Sequence, residues 1–183
     1  MNIILLKHGI KYTSDDVNKQ VKSLKKFTND DIFCFTEDPK GVIIDCIPIP
    51  RKPKLVRWWN KMHLFRDDFP LFGPSVLFDL DILIEKNPFE YIEKIDWKYP
   101  TFIRRKFKMD KFFREHSYDT ELNSSILAWT SHQNTYIWDI FTKNIDYHTR
   151  KYKGIDRFFW HENIEWRQFD HGISDTIDLQ KDN

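Results

Sequence analysis

The sequence predicts an α/β domain, with a central mixed sheet and helices packed on both of its sides. Three observations carry this. Short apolar runs alternate with helical stripes through the first half, beginning with Ile3-Ile4-Leu5-Leu6 and the stripe Val17, Val21 and Leu24. A later run, Val76-Leu77-Phe78-Asp79-Leu80-Asp81-Ile82-Leu83-Ile84, reads as a strand of the sheet centre that carries two carboxylates. The length, 183 residues, fits one domain and can bury a proper core.

Taken in order, Ile3 to Leu6 is the first strand, and Lys7 to Tyr12 leaves the sheet as a loop at a strand's carboxyl end, where open α/β sheets bind ligands. Ser14 supplies an N-cap, Asp15 and Asp16 fill the first turn, and the helix runs to lysines near Phe27. Ile32 to Phe35 is a second strand. After the turn Thr36 to Gly41, Val42 to Ile49 makes a third, edge-like strand that ends in a proline-broken stretch. Trp58 to Phe65 reads as a helix with Trp58, Met62 and Phe65 along one face and Lys61 beside them. Asn123-Ser124-Ser125 places small polar residues just before a buried strand, and Thr130-Ser131-His132 caps a helix through Tyr136, Ile137, Ile140 and Phe141.

The acidic run sets the chemistry. Side chains two apart on a strand share a face, so Asp79 and Asp81 present carboxylates to one point, about 7 Å of backbone apart. A carboxylate in apolar surroundings takes up a proton or finds a cation. One manganese or magnesium ion satisfies both, since these ions use one or two protein carboxylates and leave positions for substrate phosphates. The plainer reading, a strand end whose acids face water or cap a turn, is set against the apolar Ile82-Leu83-Ile84 that follows.

Charge excludes little but points away from polyanions. The 29 basic and 28 acidic residues leave a net charge of +1, no general reason for a nucleic-acid or anionic-membrane partner. An aromatic content of 16% suits stacking surfaces as well as core. Cys34 and Cys46 sit in apolar runs without metal-ligand spacing and read as reduced thiols. The first apolar run is too short for a secretory signal and no later one reaches the length of a membrane span, so the expected place is the cytoplasm.

Lys11-Tyr12, Cys34-Phe35-Thr36-Glu37-Asp38, Trp58 to Phe65, Asp79-Leu80-Asp81 and Asn123 to Leu127, in this order and spacing, resemble a nucleotide-sugar glycosyltransferase of the GT-A type, near family 8 and its small bacterial and phage relatives. The resemblance implies a single Rossmann-like GT-A domain over 1–183, with a nucleotide-binding half at about 1–84 and an acceptor half at about 85–183. It implies metal-dependent transfer of a hexose from a nucleotide-diphosphate donor, most simply a uridine one, to a hydroxyl on a glycan, lipid or protein. Asp79 and Asp81 become the DxD metal ligands. Tyr12 falls near the base, or is an ordinary loop aromatic, and Lys11 falls near the nucleotide; Asp38 touches ribose or base, although a turn before proline accounts for Asp38 as well. Lys61 faces donor phosphates or sugar, and otherwise reads as a snorkelling surface lysine. Asn123 and Ser124 face the donor sugar, and Asp156 in Lys153-Gly154-Ile155-Asp156 faces the transferred sugar.

The chain departs from the pattern at its end, where His171-Gly172 stands in place of a histidine, glycine and lysine cluster; the expectation is a short or incomplete ending and weak turnover. Two other classes stay open. One is a nucleotide-sugar-binding module without turnover. The other is a nucleic-acid-binding protein using the basic and aromatic segment 102–114, where Arg104, Arg105, Lys106, Lys108, Lys111 and Arg114 interleave with phenylalanines.

Overall fold

The computed structural model describes residues 1–104 and 120–169, so the basic run beyond Arg104 and His171-Gly172 lie outside the described residues. These residues form one sheet of seven strands in the order β3-β2-β1-β4-β6-β5-β7. Its first half is parallel: β1 (Asn2–Lys7) lies between β2 (Ile32–Thr36) and β4 (Gly73–Phe78), and β3 (Cys46–Pro48) forms the edge beyond β2. β6 (Leu122–Ser131) runs antiparallel to both β4 and β5 (Thr101–Arg104), and the two-residue β7 (Arg167–Gln168) closes the other edge beside β5. The expected mixed sheet is the one observed.

Alternation along β1 divides the core. Ile4 and Leu6 join one apolar cluster with Trp59, Met62, Phe65, Phe141, Phe158 and Phe159, while Ile3 and Leu5 join the other with Val17, Val21, Leu24 and Phe89. Helix α1 (Ser14–Leu24) and the short α2 (Phe89–Ile92) therefore cover the second face. The 3-10 helix Arg57–Phe65 covers the first, together with α3 (Tyr136–Thr142), α4 (Ile145–Lys151) and α5 (Ile155–His161). A strand buried on both sides needs continuous apolar sequence, which is what Ile3 to Leu6 supplies.

Six sequence readings change. The cap of α1 is Thr13, one residue before Ser14: its hydroxyl accepts from the Asp16 N–H, and the Asp16 carboxylate accepts from the Thr13 N–H at 2.8 Å, a closed capping box. The third strand is only Cys46–Pro48, not Val42 to Ile49. Trp58 to Phe65 belongs to a 3-10 helix in which every residue from Trp59 to Phe65 is buried, so Met62 and Phe65 are inside as expected but Trp58 stays 41% exposed. β4 ends at Phe78, and Asp79-Leu80-Asp81 forms a turn instead of continuing to Ile84. Asn123 and Ser124 lie inside β6 and not before it, and Thr130 and Ser131 end that strand, whereas α3 starts after Thr135 without a side-chain cap.

The end of β4 and a break in β6 belong together. On β5, Phe102 faces Leu127 and the next residue, Ile103, faces Asn123, so Ser124 to Ile126 bulge away from that neighbour. The bulge leaves the Ser125 carbonyl to accept from the Asp79 N–H at 2.8 Å, which fixes the acidic turn to the sheet.

Candidate active site

The carboxyl ends of β1, β2 and β4 open onto a cleft of about 930 Å³. Its lining includes Lys11, Tyr12, Lys61, Asp79 and Asp81, five of the residues singled out in the sequence. The parallel half of the sheet makes this inevitable, because the loops leaving those strands all emerge at one edge.

Asp79 sits at the bottom, its side chain 24% exposed, against the Lys61 ammonium at 2.8 Å. Lys61 is 4% exposed, and its other donors reach the Ser124 carbonyl at 2.9 Å and hydroxyl at 3.1 Å. An ammonium has three N–H groups, and these contacts use all of them. The Ser124 N–H in turn donates to the Asp156 carboxylate at 3.1 Å. Asp156, in the first turn of α5, thus meets Asp79 through the β6 bulge and Lys61. Burial pushes the Asp79 carboxyl above its ordinary range, and the Lys61 ammonium opposes that rise.

Asp81 is held from the first loop. Its Oδ2 accepts from the Tyr12 hydroxyl at 2.6 Å and the Lys11 ammonium at 3.0 Å. Burial works to raise the Asp81 carboxyl, but these two donors keep it below the usual range. The Tyr12 hydroxyl is pushed up to about 12 by burial and by the Asp81 carboxylate, so near neutral pH it stays a donor. The His8 imidazole, half-buried on the lining, is lowered by burial.

The remaining candidates fall outside the lining. The Asp38 carboxylate accepts from Lys7 at 3.2 Å and from the Lys40 N–H at 3.2 Å, on an exposed turn. Asn123 turns its side-chain oxygen to the Ser125 N–H at 2.9 Å, which stabilises the bulge. Sequence reasoning passed over Glu37, which accepts from the Gly9 N–H at 2.6 Å, and the basic stretch Arg51, Lys54 and Arg57, all on the cleft. In the sequence only the proline spacing marks that stretch, and it reads as a break between elements.

Among the described residues no three His, Cys, Asp or Glu side chains stand together as a metal cage. The donor set still fits a hard divalent ion: two carboxylates face one cleft with room for substrate oxygens, and such ions need no more protein ligands than that. Binding one would require Asp81 to exchange its Lys11 and Tyr12 contacts for the ion.

No family model and no curated protein matches the chain in sequence. Solved structures do match it in shape. The galactosyltransferase LgtC, determined with donor and acceptor sugar analogues, superposes with a TM-score of 0.61 at 10% identity over 86% of this chain and 68% of its own. The glycosyltransferase GlyE of Streptococcus pneumoniae gives 0.64 at 12% identity, over 91% of this chain and 45% of its own. A 4-diphosphocytidyl-2C-methyl-D-erythritol synthase from Anaerococcus prevotii gives 0.50 at 10% identity. This chain therefore has the GT-A-like fold expected from its sequence, spanning about two thirds of one glycosyltransferase's length and under half of another's.

Proposed function

We propose that the chain is a glycosyltransferase, moving a hexose from a nucleoside-diphosphate donor, a uridine one, to a hydroxyl acceptor with manganese or magnesium. One observation carries the reading: Asp79 and Asp81 stand together in a turn at the carboxyl end of a central strand, over the cleft of a GT-A-like sheet. In the reaction the bond from the anomeric carbon to the diphosphate breaks, a bond to the acceptor oxygen forms, and the acceptor hydroxyl's proton is released along with the nucleoside diphosphate. Asp79 and Asp81 would hold the divalent ion, which when bound would neutralise charge on the departing diphosphate. Lys61 keeps the Asp79 carboxylate in place and stops it turning away to solvent. Tyr12 and Lys11 meet the nucleotide from the cleft lining, while Ser124 and Asp156 lie behind that lining, where the Ser124 carbonyl and hydroxyl hold Lys61 and Asp156 holds the Ser124 N–H.

Calorimetry with manganese and a uridine diphosphate sugar tests this. Asp81→Asn removes a charged ligand at constant shape and should abolish metal-dependent donor binding, and Asp79→Asn should weaken it at least tenfold. Binding unchanged in both variants ends the proposal. A second reading, a binder without turnover, draws on the engagement of both carboxylates with lysines. Donor bound tightly without hydrolysis or transfer across a sugar panel would favour it.

A further inference from the structure

The cleft has a wall that the donor reading does not use. From Pro50 to the first residue of the 3-10 helix the chain runs as an arm, residues 50–57, and it brings Arg51, Lys54 and Arg57 to the cleft, all exposed. Opposite them, the carboxylates at the end of β4 are already matched, Asp79 by Lys61 and Asp81 by Lys11. Among the described residues, Arg51, Lys54 and Arg57 pair with no carboxylate. The lining holds five lysines and arginines against three acids, Glu37, Asp79 and Asp81, and the surplus of two positive charges lies on the arm.

Solvated surface lysines are ordinary, but this arm is built to stay in place. Leu55 is buried in the core between the cations, the Arg66 guanidinium donates to the Lys52 carbonyl at 3.1 Å, and Pro50 and Pro53 restrict the backbone. Arg57 holds a left-handed backbone, φ 53°, which residues other than glycine adopt uncommonly. Its guanidinium stands 5.7 Å over the Trp58 ring, and that ring, also on the cleft, is backed by Gly154, where even a methyl group would come within 3.3 Å of the indole nitrogen. Cations fixed at the mouth of a cleft with low-dielectric walls attract an anion and meet its oxygens with little reorganisation.

We propose that Arg51, Lys54 and Arg57 form a phosphoryl-binding subsite that works without a metal ion. It deepens the transferase reading and rests on it only for the source of the phosphate, which is either the donor's diphosphate or a phosphate carried by the acceptor.

The test is calorimetric titration of the full chain with inorganic pyrophosphate in EDTA. The parent should bind it, more weakly as salt rises. Arg51→Gln/Lys54→Gln, which leaves the Arg57 backbone alone, should weaken pyrophosphate at least tenfold with an unchanged melting temperature, and adding Arg57→Gln should weaken it further. No binding by the parent at millimolar pyrophosphate, or equal binding by parent and double variant, overturns the proposal. Uridine diphosphate then assigns the source. Displacement of pyrophosphate by the nucleotide supports a subsite for the donor, and simultaneous binding of both supports one for a phosphorylated acceptor. Failure of the transferase reading shows separately, as absent manganese-dependent binding of the uridine diphosphate sugar.

Discussion

Lys61 shows why a residue's environment decides its role more than its type. Read as a lone lysine among aromatics it belongs at the surface, yet it is buried and committed to Asp79 and Ser124. Lys61→Met would leave the Asp79 carboxylate and the Ser124 carbonyl without a partner, and breaking a buried pair is costly. Asp79 retains some exposure and can take up a proton, which limits the loss to about 2 kcal/mol by urea denaturation. The same change removes the cation opposing the burial-driven rise of the Asp79 carboxyl, so its ordinary range is left still further behind. Manganese binding should then fail at a higher pH than in the parent as pH falls, and an identical pH profile would mean that Asp79 does not meet the ion. The pair Asp79 and Asp81 was legible because two acids in an apolar run demand an explanation. Their partners were not, because Lys61 and Lys11 approach from segments distant in sequence.

At the level of elements, the strands with uninterrupted apolar sequence were legible and the irregular pieces were not. Ile3 to Leu6 and Ile32 to Phe35 bury both faces and carry their own signal. The stop of β4 at Phe78 depends on the bulge of β6, a pairing between segments some fifty residues apart, and Ile82-Leu83-Ile84 misled because apolar residues can follow a strand without continuing it. The helix over Trp58 to Phe65 was legible but its 3-10 character was not, because apolar residues at spacings of four and three, Trp58, Met62 and Phe65, fit a helical face without fixing the period. Gly154 shows how such an element is held. Its φ of 143° and ψ of 169° lie in a region open essentially to glycine alone, and its face packs on Trp58. Gly154→Ala should cost about 1–3 kcal/mol. Gly73, at φ 80° with open space around it, should lose only about 1 kcal/mol on the same substitution. Equal thermal destabilisation in the two variants would mean that the contact with Trp58 adds nothing.

Over the whole molecule, two apolar cores on either side of one sheet hold the cleft open at its edge, and the larger core carries a polar group that ties stability to pH. His63 is fully buried beside Phe35 and Trp138, and neither ring nitrogen has a hydrogen-bond partner among the described residues. Burial, aided by the Arg66 charge, lowers its imidazole to about 4 from an ordinary 6.5. Well above pH 6.5 the group is neutral in both folded and unfolded chains and contributes no pH dependence. As pH falls from there toward 4, the unfolded chain takes up a proton that the folded chain refuses, so stability drops. Between pH 7 and pH 5 the loss from this one group is about 2 kcal/mol. His63→Phe keeps a ring against Phe35 and Trp138 and removes the two unpartnered nitrogens. The variant should be at least as stable as the parent at pH 7, and its urea midpoint should fall less on acidification to pH 5. If parent and variant lose stability in parallel over that range, His63 is either protonated in the folded chain or reached by water, and the acid sensitivity of the fold lies elsewhere.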